Sequence, residues 1–124
     1  MRIEIEKLPP SQNEWKKWSW TVGGRAKQRR IKREWENLII PHGYLWKALY
    51  GPGIYAKEIK VIFYFPDNRR RDLDNFSYFK GILDGLVKAG IIADDSVKNV
   101  KIEYEMKLNT GKRQTEILID EKIK

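Results

Sequence analysis

The residues of this chain best suited to chemistry are two short acidic clusters. Asp72 and Asp74 stand directly behind Arg69-Arg70-Arg71, and Asp94-Asp95, followed by Ser96, comes about twenty residues later. In extended backbone, residues two apart project to the same side, so Asp72 and Asp74 can reach one point. A helix between the clusters would turn the chain back and return Asp94 and Asp95 beside the first pair. Carboxylates gathered in one place repel, and some stay protonated unless a cation joins them. Oxygen-only ligands suit Mg²⁺, with Mn²⁺ as a substitute, and such ions keep open positions for water and phosphate oxygens. An ion held in that way activates water and stabilises the attacking and leaving oxygens of phosphodiester cleavage.

The bland alternative makes Asp72 and Asp74 a helix cap and its neighbour, with Asp94-Asp95 in a solvated turn. An EF-hand counted from Asp72 fails, because it needs Gly and Glu where Ser77 and Leu83 stand. A sugar-nucleotide transferase needs a larger dinucleotide-binding fold. Arg69, Arg70 and Arg71 could hold a phosphate backbone where the metal would act. Alternatively they end a solvated strand, neutralised by Asp67, Asp72 and Asp74. Lys80 borders the apolar positions Leu83 and Val87, a partly dry setting in which it could stabilise phosphate charge in a transition state. The plainer reading pairs it with Asp84, one helical turn on.

The elements around these residues follow from periodicity. Ile3 and Ile5 predict a short first strand ended by Pro9-Pro10, and a loop is expected through Trp15, Trp18, Trp20 and Gly23-Gly24. From Arg25, Ile31, Trp35, Leu38 and Ile39 fall at helical spacing, and that helix stops before Pro41-His42-Gly43. Ile59 to Phe65 reads as a strand buried on both faces. A second helix is expected to start near Asp74-Asn75 and end at Gly90, with Phe76, Phe79, Leu83, Leu86 and Val87 as its apolar stripe. Val100 to Leu108 alternates as a half-solvated strand, and Asn109-Thr110-Gly111-Lys112 turns into a last strand around Thr115 to Ile119. The expected fold is α+β (mixed α/β): a single small domain, order β-α-β-α-β-β, with about four strands in a mixed sheet and two main helices.

The chain has 124 residues, no cysteine and a net charge of +8. Disulfides, thiolate metal sites and cysteine nucleophiles are thereby excluded. Basic character of this size attracts polyanions, although a Lys- and Glu-rich thermophile surface also fits. Arg25, Lys27, Arg29, Arg30, Lys32 and Arg33 form a run without an acidic residue. They are candidates for contact with DNA phosphates, with Gly23-Gly24 giving the preceding loop freedom to adapt, or else they form a merely solvated helix face. Of the tryptophans, one or two in the 15–20 segment could stack on unpaired bases, whereas Trp35 is expected in a core. His42 reads as a surface-loop histidine and Ser96 as a cap. Neither a signal-peptide core nor a run of ~20 apolar residues occurs, so no membrane partner and a cytoplasmic location are expected.

Arg70-Arg71-Asp72-Leu73-Asp74-Asn75, then Lys80, Asp84, Ala89-Gly90 and Asp94-Asp95-Ser96, closely resembles the central motif of the RusA family of Holliday junction resolvases. Pro9-Pro10-Ser11 followed by Asn13 is similar to that family's N-terminal element. The segment between Asp74 and Lys80 runs longer than the family pattern, and Lys80 falls in register when counted back from Asp84. The resemblance implies that residues 1–124 form one RusA-like endonuclease domain. It implies a homodimer that binds four-way DNA junctions and nicks two strands symmetrically with Mg²⁺, in recombination and repair. Asp72, Asp74 and Asp95 would be the essential carboxylates, with Asp94 adjacent, Lys80 the catalytic lysine and Arg71 a phosphate-facing arginine. Two rivals stay open: a nuclease of the same fold acting on flaps, forks or RNA, and a DNA-binding module whose acidic cluster is structural.

Overall fold

Charge and apolar residues alternate at the N-terminus, and the first strand forms there. β1 (Arg2–Ile5) buries Ile3 and Ile5 and exposes Arg2 and Glu4. The computed structural model describes residues 1–94, 96 and 98–120. After β1 come α1 (Gln12–Ser19), α2 (Gly24–Ile39), α3 (His42–Tyr50), β2 (Glu58–Tyr64), α4 (Asp74–Ser77), α5 (Lys80–Lys88), β3 (Lys101–Lys107) and β4 (Gln114–Ile119). The four strands form one sheet in the order β1-β4-β2-β3. β4 is antiparallel to both its neighbours, and β2 and β3 are parallel. Parallel pairing requires a crossover, and α4 and α5 supply it. The expected α+β domain with a mixed four-stranded sheet is therefore present.

One face of the sheet carries the core. Ile59, Val61 and Phe63 of β2 lie between Ile117 and Ile119 of β4 and the half-buried Ile102, Tyr104 and Met106 of β3. Trp35 and Ile39 of α2, with Ile82 and Leu86 of α5, complete the same apolar cluster. β2 was expected to be buried on both faces, but Lys60 and Tyr64 are only half-buried. Ile62 on that second face is 4% exposed, amid long polar side chains. Lys60 pairs with Glu105 at 3.3 Å and Arg2 with Glu116 at 3.2 Å, while the Tyr64 hydroxyl donates to Glu116 at 2.8 Å. The stems of such residues cover apolar surface while their heads stay wet.

Three helical features depart from expectation. Residues 12–19 are a helix, not a loop, because Ser11 and Glu14 make a capping box: Ser11 Oγ accepts from the Glu14 N–H at 3.3 Å and Glu14 Oε1 from the Ser11 N–H at 3.2 Å. Pro41-His42-Gly43 opens α3 instead of a loop, since proline fits a helix start, where its missing N–H costs nothing. The helix expected over 74–90 is broken at Phe79, whose backbone is extended (φ −65°, ψ 117°). That break turns the Phe79 ring into a cage with Trp15 and Trp35, at centroid distances of 5.6 and 5.4 Å, both edge-to-face.

α2 and α5 pack closely because Gly81 and Gly85 carry no Cβ. A Cβ on Gly85 would sit 3.1 Å from Ile39 Cδ1 and 3.3 Å from Glu36 Cα, and one on Gly81 would sit 3.3 Å from Trp35 Cβ. Two ion pairs span the seam, Lys32–Asp84 at 2.6 Å and Lys88–Glu36 at 2.8 Å. Overpacking such a seam costs about 1–3 kcal/mol. Gly85→Val is therefore expected to destabilise the fold by that amount in chemical denaturation; an unchanged midpoint would mean that the helices do not meet in this way.

Candidate functional site

The acidic segment begins where β2 leaves the sheet, and its first part is held on both sides. The turn after β3 clamps it from below: Asn109 N–H donates to the Asp67 carbonyl at 2.8 Å, Thr110 N–H to that of Phe65 at 2.9 Å and Gly111 N–H to that of Pro66 at 3.1 Å. Asn109 and Gly111 adopt positive φ (55° and 72°) to make that turn. From above, the Asp67 carboxylate accepts from Arg69 N–H at 3.1 Å and Arg69 Nε at 3.2 Å, and pairs with Arg71 Nη1 at 2.8 Å. The Arg71 guanidinium lies 4.4 Å from the centre of the Phe65 ring, and its side chain is only 12% exposed. Hydrogen bonds from Arg71 and the Arg69 backbone pull the Asp67 carboxyl down to about 2.

The clamp divides the arginine run. Asp67 engages Arg69 and Arg71, as the neutralised strand end requires, while Asp72 and Asp74 take no part in that pairing. Arg70 stays exposed and forms no ion pair with a described residue.

Asp72 and Asp74 stand beyond the clamp, both exposed. The capping alternative does not describe them, since α4 has Leu73 at its cap position and no side-chain cap hydrogen bond. Only the Asp72 carbonyl contributes, accepting from Asn75 N–H at 3.0 Å. Neither carboxylate is ion-paired with a described residue. Two uncommitted carboxylates on a short segment are a donor set that Mg²⁺ accepts, because it binds through one or two carboxylates together with water and phosphate oxygens.

The second cluster is only partly visible. Asp94 accepts from Ser96 N–H at 2.8 Å and from Asn99 Nδ2 at 3.0 Å on each oxygen, which lowers its carboxyl pKa, the Asn99 bond contributing most. It fastens a turn in which Ser96 Oγ in turn accepts from Lys98 N–H at 3.3 Å, as expected of a cap. Asp95 lies outside the described residues. Among the described residues no three His, Asp or Glu side chains gather into a metal-holding group.

Lys80 opens α5 and is exposed, in contrast to the partly dry border expected for it. The reason lies in the break at Phe79, which starts the helix at Lys80 and leaves its side chain outside the packed stripe. Asp84 faces α2 and meets Lys32, whose amine pKa is raised chiefly by that hydrogen bond.

On α2, Arg25, Arg29 and Arg33 are exposed at successive i, i+4 positions, so they form one stripe, and none pairs with a described residue. Lys27 sits 4.2 Å over the Trp18 ring, and Arg30 lies 3.8 Å from Glu34. The glycines before the helix do not loosen the chain. Gly24 is buried, and a Cβ there would lie 1.7 Å from the Trp18 carbonyl oxygen, so it closes a tight turn.

The N-terminal Pro-Pro-Ser element joins this region. The Tyr78 hydroxyl, between α4 and α5, donates to the Pro10 carbonyl at 2.9 Å and the Ser11 carbonyl at 3.3 Å. A cleft of about 570 Å³ lies beside the Pro-Pro-Ser element, with Arg71 and Arg113 in its wall together with Glu6, Glu14 and Glu34. Arg113 is a cation that sequence reasoning missed, since a lone arginine after a turn carries no periodic signal. Trp35 is in the core as expected, and Trp46 joins it, donating Nε1–H to the Ile54 carbonyl at 2.7 Å.

The chain is 60% identical over 37 residues to the crossover junction endodeoxyribonuclease RusA of Enterobacteria phage HK97. That match is short. It covers 30% of this chain and 29% of the phage protein. No protein-family model matches the chain. Among the described residues no helix is long and apolar enough to cross a membrane.

Asp67 gives the site a pH signature. A carboxyl depressed in the fold stabilises above its unfolded pKa of about 3.9, and that contribution is lost as pH falls through its folded value. The Asp67 carboxyl carbon should titrate by NMR with a midpoint near 2. Between about pH 4 and pH 2 the wild type should lose stability that Asp67→Asn never had. A midpoint near 4 would show the clamp open in solution.

Proposed function

We propose that the chain is a RusA-like endonuclease domain that resolves four-way DNA junctions by metal-dependent hydrolysis, acting as a homodimer in recombination and repair. The observation that carries this reading is the contrast among carboxylates. Asp67 and Asp94 are committed to their own turns, whereas Asp72 and Asp74 stand exposed and uncommitted beside Arg70. The match to the phage enzyme supports it independently.

In this reading Asp72, Asp74 and Asp95 hold Mg²⁺, or Mn²⁺ in its place, with Asp94 bracing the turn beside them. The ion when bound supplies an activated water and neutralises charge on the phosphate. Lys80, on the first turn of α5, contributes a second positive charge to the scissile phosphate. Arg70 and the Arg25–Arg29–Arg33 stripe, with Lys27 and Arg30 beside it, hold the sugar–phosphate backbone, and Arg69 and Arg71 add positive field. Two protomers supply two equivalent sites for paired nicks.

One observation favours a second reading, a DNA-binding module without cleavage: Asp94, one of the expected ligands, is already engaged by Asn99. Cleavage of a four-way junction by purified protein with Mg²⁺ separates the two. Asp72→Asn is expected to lower the nicking rate by at least about a hundredfold while junction binding stays within a few-fold. No nicking of any branched DNA or RNA by the wild type, with Mg²⁺ or Mn²⁺, would overturn the nuclease reading. Replacing Arg25, Arg29 and Arg33 together by alanine should weaken binding and flatten the log–log salt dependence by roughly 0.9 for each phosphate that is no longer neutralised.

A further inference from the structure

Trp20 is 89% exposed and Val22 is fully exposed, which makes the turn between α1 and α2 the most prominent apolar projection among the described residues. The other tryptophans are occupied. Trp35 and Trp46 are in the core, Trp15 packs against Phe79 and Tyr78, and Trp18 is covered by Lys27 at 4.2 Å. Trp20 has no ring partner among the described residues, so both faces of its indole are open.

The turn that carries it is closed by hydrogen bonds. Trp20 N–H donates to the Lys17 carbonyl at 3.1 Å, Thr21 N–H to that of Trp18 at 3.3 Å and Gly24 N–H to that of Thr21 at 3.1 Å. Thr21 Oγ1 also donates to the Trp18 carbonyl at 3.2 Å, and Gln28 Nε2 ties α2 to the Trp15 carbonyl at 2.7 Å and to Ser19 Oγ at 2.8 Å. A turn whose backbone is already hydrogen-bonded has less loop entropy to lose when its side chains bind.

Cations flank the projection on both sides. One shallow hollow is lined by Trp20, Val22, Arg25 and Arg29, and the other by Trp18, Val22, Lys27 and Arg30. Val22 is the crest between them. No acidic residue occurs from Ser19 to Arg33. An apolar crest with an open indole between two positive hollows is complementary to polyanionic strands that part on either side of an unstacked base. A base within an intact duplex has both faces covered, whereas an unpaired base offers a face to an aromatic ring. A membrane surface is the poorer fit, because an interfacial segment presents an apolar face along a whole helix. Here α1 half-buries its Trp15 side against Phe79, and the apolar exposure lies in the turn after it.

We infer that the α1–α2 turn is a base-stacking wedge, in which Trp20 stacks on an unpaired nucleobase while Arg25 and Arg29 on one side, and Lys27 and Arg30 on the other, hold the flanking phosphates. This deepens the proposed function, since branched DNA exposes such bases, and it rests on that reading only for the identity of the natural substrate.

The test compares binding of the full chain to a (dT)20 oligonucleotide and to an abasic strand of equal length and charge. Wild type should prefer the oligonucleotide with bases, by roughly five- to a hundredfold if one base stacks. Trp20→Ala should abolish that preference without changing affinity for the abasic strand or the thermal unfolding midpoint, and Trp20→Phe should keep most of it. Equal binding of both strands by the wild type, or an intact preference in Trp20→Ala, would overturn the wedge. Trp20-dependent binding to anionic vesicles without a base preference would overturn it in favour of a lipid surface. Junction nicking is read separately, so a chain that nicks but lacks the preference refutes the wedge alone. A chain that has the preference but never nicks refutes only the nuclease reading.

Discussion

Helices α2 and α5 touch along a seam from which two side chains are missing. A Cβ on Gly81 would strike the Phe79 ring and approach Trp35, and one on Gly85 would crowd Ile39 and Glu36, so the two glycines allow the close approach. The consequence is positional. α2 carries the basic stripe and α5 follows α4, which Asp74 opens, so their approach helps to set where the cations lie relative to Asp72 and Asp74. The ion pairs along the seam do less of this than their lengths suggest. Lys32 and Asp84 are both more than a third exposed, and such pairs contribute about 0–1 kcal/mol. Trp35 and Phe79, each at most 2% exposed, bury far more apolar surface and do most of the holding. The ion pairs select register along a seam that packing makes stable.

The second organising feature is a division of labour among charges. A loop with Asp67, Arg69, Arg70, Arg71, Asp72 and Asp74 could have collapsed into mutual pairing, leaving nothing for a ligand. Instead Asp67 takes Arg69 and Arg71, and Phe65 flattens the Arg71 guanidinium against its ring. The clamp is tied to the β3–β4 turn through the carbonyls of Phe65, Pro66 and Asp67. Because that part of the loop satisfies itself, Asp72 and Asp74 are presented on a rigid base with their charges unspent. An Arg71 that faced solvent would compete for them.

Much of this was legible in the residues. The strands announced themselves through the alternation of Arg2–Ile5 and Lys101–Lys107 and the apolar run of Ile59–Phe65, which depend only on local period. The Asp72–Asp74 pair was legible by residue type, but the extended backbone expected between them was not borne out: Leu73 is helical (φ −56°, ψ −37°) and Asp74 opens α4, where residues two apart do not share a side. The break at Phe79 was not, because an unbroken apolar stripe from Phe76 to Val87 favours one continuous helix. What interrupts it is the Trp15–Trp35 cage, assembled from two other helices. α1 was missed for a different reason. Its tryptophans and lysines show no clean stripe, and the decisive sign was the Ser11–Glu14 box. The role of Arg71 was beyond local reading too, since nothing in an Arg-Arg-Arg run says which member an upstream aspartate will capture.

Gly24 shows how one local misreading carries through to the surface. Two adjacent glycines suggest slack, and a slack loop would present Trp20 and Val22 in many orientations, most of them folded back onto apolar neighbours. The structure uses Gly24 for close approach, since any Cβ would strike the Trp18 carbonyl, and it uses Gly23 for its left-handed backbone, φ 77°. Both properties shorten the turn. A short turn between two helices cannot fold its own tip inward, because the helix ends fix the directions of the residues between them. Trp20 therefore stays in water despite the cost, and the same tightness that denies it a place in the core keeps it aimed outward among arginines. The exposure of this side chain follows from the geometry of the turn that carries it.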